Sequence, residues 1–373
     1  MVHPERFIET LNQNGVTFFT GVPDSLLKEF CLGLSSLPAA QHVTAANEGA
    51  AVALATGHYL ATGDPALVYL QNSGLGNAVN PLVSLADPAV YGIPMLLMIG
   101  WRGEPNVVDE PQHTRQGAIT PTLLDTLGIP YRVLPQEDDS VAHKAVEHML
   151  SIAREERRPT ALLVRKGTFF MCETAHDRKD AASMTREEAL KKVIEFVGTE
   201  HVVATTGMLS RELFELREQY NGSHERDFLT VGSMGHASSI ALGIALARPG
   251  NPVWCLDGDG AVLMHLGSLA TIGKNAPKNF RHVVFNNQAH DSVGGHLTAA
   301  DGADFVAIAK AVGYPTALFA ANQKELMDAL VVIKHSMGPS FLEIRIRRGA
   351  RDGLGRPTKT PRESADAFRM SFE

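Results

Sequence analysis

Two stretches, CLDGDGAVLMH (255–265) and VVFNNQAHDS (283–292), decide the fold. The apolar run 252–257 ends in Gly258-Asp259-Gly260, and a helical pattern follows at once. The next apolar run, 282–287, ends in Asn286-Asn287, and Gly258 to Asn287 is 30 residues counted inclusively (287 − 258 + 1). Strand, turn, helix and strand in that order make a parallel unit whose ligands gather at the carboxyl edge of the sheet. Glycines in the turn let backbone N–H groups face an anion. Asp259 would repel a phosphate unless a cation stood between them, and a hard divalent ion such as Mg2+ takes carboxylate, amide and carbonyl oxygens. A lone Gly-Asp-Gly is a common turn. One that ends a strand, with Asn-Asn closing the next, is specific.

Working outward, short β-branched or apolar runs alternate with helical patterns along the chain. Strands are expected at 16–20, 42–46, 66–71, 94–100, 129–133 and 160–165, then at 201–205, 228–231, 252–257, 282–287, 315–319 and 339–346. The polar stretch 172–184 separates two α/β halves, residues 1–170 and 185–373, with a linker at 171–184. Thr185 and Glu188 have the spacing of a capping box, so a helix opens there. The halves align at one offset. Gly49, Ala53, Gly57 and Ala61 form a stripe at four-residue spacing, and Gly235, Ser239, Gly243 and Ala247 repeat it (235 − 49 = 186). LQNSG at 70–74 matches LDGDG at 256–260 in the same way (256 − 70 = 186). Shared ancestry of the halves is the economical reading. Small faces of this kind suit close packing at an interface, or ordinary helix–sheet contact.

With 373 residues, 44% apolar and 20% charged, the composition is that of a soluble two-domain protein. A formal net charge of −7 without a basic run argues against nucleic acid. The opening MVHPERFIETL has neither a secretory nor a transit pattern, and the longest apolar stretch, Ile93 to Trp101, is too short to span a bilayer. A cytoplasmic location is the expectation. Cys31, Cys172 and Cys255 form no CxxC pair, so neither a disulfide framework nor a zinc site is read from their spacing. In VTAANEGAAVALATGHYLATG (43–63), Glu48 opens the striped helix. The dipole favours a carboxylate there, and burial would equally make it a proton-holding acid.

The paired motifs resemble those of the thiamine-diphosphate enzymes. That resemblance implies two similar Rossmann-like parallel-sheet domains, a pyrimidine-binding half followed by a diphosphate-binding half. It implies that Asp259, Asn287 and the carbonyl of Ala289 hold Mg2+, while the backbone at Gly258, Gly260 and Ala261 meets the diphosphate of thiamine diphosphate. Gly232-Ser233-Met234-Gly235 matches the segment whose first carbonyl accepts from the aminopyrimidine and whose Met234 wedges the cofactor into a bent form. Glu48 takes the place of the acid beside the pyrimidine ring. FTGVPDSLLKEF (19–30) resembles the substrate loop of the decarboxylases in this group, with Ser25 as a polar pocket residue. DEPQHTRQG (109–117) supplies His113 as an acid/base, with Gln112, Arg115 and Gln116 beside it. Cofactor halves on separate domains imply a homodimer at least, with the site at a subunit interface.

The short two-domain order, without a third central domain, resembles the decarboxylases of 3-substituted pyruvates. The runs GVPDSLLK, DEPQH, TTGMLSREL, GSMGHASS, HDSVGG and ARDGLGRPTKTP carry the likeness over nearly the whole chain. Gln288, His296-Leu297 and Gly353 depart from the pattern and bear on substrate identity. The implied reaction is decarboxylation of 3-phosphonopyruvate to phosphonoacetaldehyde and CO2, a step of phosphonate biosynthesis, with sulfopyruvate as the alternative substrate. Lys28, Arg115 and Arg356 are the cations expected to grip the phosphonate. From another class, a Mg2+-dependent phosphotransferase or nucleotide-binding protein would also use GDG. The chain, however, has no GxxxxGK[ST] loop, and such a protein leaves Glu48 without a role.

Overall fold

The computed structural model describes residues 1–171, 182–220 and 222–373, which fall into two compact units, Met1–His176 and Asp177–Glu373. Most of the expected linker, residues 172–181 with Cys172, lies outside the described residues. In the first unit six strands make one sheet: β1 (Phe19–Gly21), β2 (His42–Thr44), β3 (Ala66–Gln71), β4 (Met95–Gly100), β5 (Tyr131–Val133) and β6 (Pro159–Val164). Their order is β2-β1-β3-β4-β6-β5, and every pairing is parallel.

The second unit holds β7 (His201–Ala204), β8 (Asp227–Leu229), β9 (Val253–Gly258) and β10 (Phe280–Asn286). There follow a two-residue antiparallel pair, β11 (Ala289–His290) and β12 (His296–Leu297), then β13 (Thr316–Ala320) and β14 (Ser340–Arg345). Its six-stranded sheet runs β13-β14-β10-β9-β7-β8, again all parallel. Read from the other edge, and counting its strands in chain order, this is the winding of the first sheet. The register of the repeat also holds, since β9 begins 186 positions after Leu67 in β3 (253 − 67 = 186). All twelve expected sheet strands are present, with ends shifted by up to three residues.

Parallel strands covered on both faces bury every side chain, and alternation sends neighbours into different cores. In β4, Leu96 and Met98 join Phe7, Phe30 and Met149 on one side, while Met95, Leu97 and Ile99 join Val52, Leu75 and Leu124 on the other. In β9, Trp254 and Leu256 face one core and Val253 and Cys255 the other. The helix Glu48–Thr62 starts where the Asn47 side chain accepts from the Ala50 N–H at 2.9 Å, and it stops at Gly63 in the left-handed region (φ 80°). Ala53, Gly57 and Ala61 on this helix are exposed, as are Ser239, Gly243 and Ala247 on the helix Ala237–Ala247. Thr185 and Glu188 form the expected reciprocal cap of the helix Arg186–Val197. Among the described residues, no helix is long and apolar enough to cross a membrane.

The carboxyl edge of each sheet releases the segments that matter: 22–27, 72–74 and 101–110 in the first unit, and 205–208, 259–261 and 287–292 in the second. Edge strand β8 is tied down by a buried ion pair, Arg217 Nε and Nη2 to Asp227 Oδ2 and Oδ1 at 2.8 and 3.0 Å. Removing one partner leaves the other charge buried and uncompensated, a cost of about 3–5 kcal/mol. Arg217→Met is therefore expected to lower the thermal midpoint of the second unit sharply. Thr185→Ala, which removes one cap worth about 1 kcal/mol, should shift it only slightly; scanning calorimetry of the two variants checks the contrast.

Candidate active site

In the first unit, β4 ends at Gly100, whose α-carbon lies so close to the Asp24 carboxylate that a side chain there would collide with it. Asp24 is wholly buried, accepts from the Leu26 N–H at 2.9 Å through Oδ2, and has no hydrogen-bond partner at Oδ1 among the described residues. Desolvation pushes its pKa up to about 6, against the pull of the Leu26 N–H and the Arg102 charge. Arg102 follows β4 and grips Asp109 with Nε (2.8 Å to Oδ2) and Nη2, while its Nη1 donates to Ser25 Oγ at 2.8 Å. Asp109 Oδ1 also takes the Nδ1 of His113 at 3.1 Å.

Ser25, 77 positions away, thus joins Arg102, Asp109 and His113 in one hydrogen-bonded chain. Burial works against the Asp109 charge, but Arg102, His113 and the Gly103 N–H prevail and hold its carboxyl well below the usual range. An ionised carboxylate only accepts, so the His113 proton sits on Nδ1 and Nε2 keeps its lone pair. Desolvation lowers the His113 pKa, Arg102 adds to that, and Asp109 opposes it. Asn72, at the end of β3, fixes this loop: its Nδ2 donates to the Arg102 carbonyl (2.8 Å) and to Thr120 Oγ1 (3.0 Å).

Glu48 is 5% exposed and accepts one hydrogen bond, from Asn77 Nδ2 to Oε2 at 2.7 Å. Gly74 lies against the carboxylate, and a side chain there would fill its place. Desolvation raises the Glu48 pKa, and the Asn77 bond only partly offsets it. Burial rather than solvent therefore sets the proton affinity of this helix-terminal carboxyl.

In the second unit, Asp259 follows β9 and is 3% exposed. Thr298 Oγ1 donates to its Oδ2 at 2.5 Å, yet desolvation still raises the pKa to about 6. The hairpin of β11 and β12 brings Thr298 back to this point, and Thr298 N–H donates to the Gln288 carbonyl at 3.1 Å. Gln288 sits in the left-handed region (φ 58°), a conformation glycine adopts freely and other residues at a cost of about 1–2 kcal/mol.

The two asparagines have different duties. Asn286 is structural, with Nδ2 on Glu343 Oε1 at 2.7 Å and Oδ1 accepting the Gln288 N–H at 3.0 Å. Asn287 lines the cleft, and its Nδ2 donates to Asp291 Oδ2 at 2.7 Å. That oxygen also takes Arg186 Nη1 at 2.9 Å, and Arg186 is held in turn by Glu212 at 2.9 and 3.0 Å. Arg186 and Asp291 thereby fix the orientation of the Asn287 amide.

Gly258, Asp259, Gly260, Ala261, Met234, Asn287 and Ala289 all line one cleft. A side chain at Gly260 would meet the His290 ring, with Met234 Cε beyond. His290 is neutral, its pKa lowered to about 4 by desolvation despite Asp291. A desolvated carboxylate without a cationic partner, an amide oxygen nearby and a glycine cradle suit a hard divalent cation and the diphosphate it would bridge. Ser233 (φ 54°) and Gly235 (φ 84°) turn the segment 232–235 over the helix Asp259–Met264, so that Gly235 abuts His265 and Ala261.

Comparison with known proteins fits this arrangement. Residues 2–126 match the thiamine pyrophosphate enzyme N-terminal TPP binding domain, and residues 205–344 match the C-terminal TPP binding domain. A phosphonopyruvate decarboxylase of Streptomyces viridochromogenes is 38% identical over 99% of this chain and 94% of its own length. Another, from Streptomyces hygroscopicus, is 35% identical over 99% and 94%. A sulfopyruvate decarboxylase of Methanosarcina acetivorans is 27% identical over 100% and 98%. The chain belongs to the thiamine pyrophosphate enzymes. Within them it is a carboxy-lyase, a 2-oxo-acid decarboxylase.

The structure brings Ser25 and His113 into one network, and gathers Gly258, Asp259, Gly260, Ala261, Met234, Asn287 and Ala289 around one cleft, with Gly232 in the adjoining turn. It does not bring Lys28 or Arg115 into the Ser25 network. Both are exposed, as is Arg356 in the second unit. The cation in the network is Arg102, which sequence reading missed, together with Asn77, Asp109, Arg186, Asp291 and Thr298. Of these, Asp109 and Asp291 stood inside quoted motifs.

The Asp24 pKa gives a signed pH effect. Below about pH 4 the folded and unfolded chains both carry the proton. Between about 4 and 6 the unfolded chain releases it first, so stability falls as pH rises, and above about 6 the penalty is constant. Asp24→Asn is expected to raise the thermal midpoint of the first unit at pH 7.5, with the gain vanishing at pH 4. Thermal scans across that range test the sign.

Proposed function

We propose that this chain decarboxylates 3-phosphonopyruvate to phosphonoacetaldehyde and CO2, using thiamine diphosphate and Mg2+. The observation that carries the reading is full-length similarity, greater to the two phosphonopyruvate decarboxylases than to the sulfopyruvate enzyme. Asp259 and Asn287, with the Ala289 carbonyl, would hold Mg2+, and the backbone at 258–261 would meet the diphosphate. Met234 and the Gly232 carbonyl would hold the aminopyrimidine end of the cofactor. The cofactor supplies the electron sink for the pair released as carbon dioxide leaves.

The remaining steps belong to side chains. Glu48, whose proton affinity is raised by burial, would hold the proton offered to the pyrimidine ring nitrogen. His113 Nε2 takes up and returns a proton near the reacting carbon, while Arg102 and Asp109 hold the Ser25 hydroxyl and the imidazole in place. Lys28, Arg115 and Arg356 are assigned to the phosphonate. The enzyme acts in the cytosol as a homodimer or larger homo-oligomer. The acid and the diphosphate residues lie on separate units, and each unit exposes a helix face of small residues suited to close contact with another copy.

Turnover of phosphonopyruvate, sulfopyruvate and pyruvate, measured in parallel on the Mg2+-loaded holoenzyme, tests the reading. A pocket built for a dianion leaves buried cations unpaired when a methyl group arrives, at several kcal/mol, and about 1.36 kcal/mol is a factor of ten in rate. Phosphonopyruvate is expected to exceed pyruvate in kcat/KM by at least about a thousandfold. Faster turnover of sulfopyruvate would move the assignment to the sulfonate. Glu48→Gln should bind Mg2+ and cofactor yet lose at least about a hundredfold in kcat, while near-normal turnover would return Glu48 to a capping role.

A further inference from the structure

Behind the Gly258 turn, on the core side of β9, lies a second polar cluster. Cys255, Asp257 and His282 are 0, 1 and 0% exposed. One donor atom from each lies within 4.8 Å of the others. The placement follows from strand geometry: Cys255 and Asp257, two apart in β9, share a face, and His282 in β10 stands opposite Cys255. Tyr314, 2% exposed, is a buried neighbour of the group. Phe341 packs edge-on against both rings, at 5.3 Å from His282 and 5.9 Å from Tyr314.

The hydrogen-bond accounting does not close there. Asp257 Oδ2, both ring nitrogens of His282 and the Tyr314 hydroxyl are buried with no partner among the described residues. Each such atom costs about 1–3 kcal/mol, and a cluster of them in an apolar core calls for an ion or a water. His282 Nε2 and Asp257 Oδ2 are 3.5 Å apart and form no hydrogen bond. Two nitrogen or oxygen donors held at about 2.1 Å in tetrahedral geometry lie about 3.4 Å apart. A thiolate, a carboxylate and an imidazole are a zinc donor set, not a magnesium one.

We propose that Cys255, Asp257 and His282, with the Tyr314 hydroxyl beside them, bind one structural Zn2+ in the core of the second unit. The ion takes up Asp257 Oδ2 and one His282 nitrogen, and thiolate and carboxylate balance its charge. Asp257 carries the effect outward, because its Oδ1 accepts the Gly258 N–H at 3.0 Å and so ties the ion to the turn that presents Asp259. No CxxC spacing announces the site, because its donors come from alternate positions of one strand and the facing position of the next.

The test counts zinc by atomic emission in protein grown with added zinc and dialysed against Mg2+ alone. About one zinc per chain is expected in the wild type. The same content is expected in Asp259→Ala, which separates this ion from the Mg2+ of the diphosphate site. Cys255→Ser and His282→Gln should each hold at least about tenfold less. Should both core variants fail to fold, chelation of the wild type supplies the readout: its thermal midpoint falls as zinc leaves and returns with Zn2+ but not with Mg2+. Zinc-free wild-type protein, zinc undiminished in both variants, or a midpoint insensitive to chelation overturns the assignment.

Discussion

Holding a carboxyl group out of water without a cation beside it is the constraint on which this molecule turns. Glu48 and Asp259 each occupy that position at the start of a helix that follows a strand, and each has its pKa raised by desolvation. Solvent would make both ordinary surface charges. The fold keeps solvent away with glycines, Gly74 against Glu48 and Gly260 beside the turn of Asp259, where any side chain would need the occupied space. The two carboxyls share this desolvation but not their partners: Glu48 accepts from Asn77 and Asp259 from Thr298.

The same economy is visible in the repeat. Both sheets have one winding, and positions 186 apart do corresponding jobs with different atoms. Glu48 corresponds to Met234, and Asn72-Ser73 to Gly258-Asp259 (234 − 48 and 258 − 72 both equal 186). In the first unit the strand end carries Asn72, which braces the Arg102 loop through its backbone. In the second, the equivalent place opens into a turn for an anion. The two edges share one winding and differ in the side chains they present.

What the sequence disclosed follows from the range of the interactions involved. Strand periodicity, the capping box at Thr185, the GDG and NN pair and Glu48 are local patterns, and they were readable because alternation and turn chemistry act over a few residues. The braces were not. Arg102 reaches Ser25 across 77 positions, Arg186 reaches Asp291 across 105 and Thr298 reaches Asp259 across 39. Nothing in a hydrophobic pattern marks such partners before the chain is folded. Asn77 is closer, one helix away from Glu48, but an asparagine in a small helix carries no signal of its own. The exposed Lys28 and Arg115 make the complementary point, since motif membership placed them near the substrate loop without saying which way they face.

The strand lengths have a bearing on how the protein behaves in a crowded solution. Of the four outer strands of the two sheets, β2, β5 and β8 are three residues long and only β13 reaches five. An unpaired sheet edge is a template for a strand from another molecule, and the risk grows with its length. Here the long apolar strands, β3, β4, β6, β9, β10 and β14, are all interior. A foreign strand arriving at three of the four rims finds no more than three positions to ladder onto, which sets this very apolar pair of sheets against fibril growth.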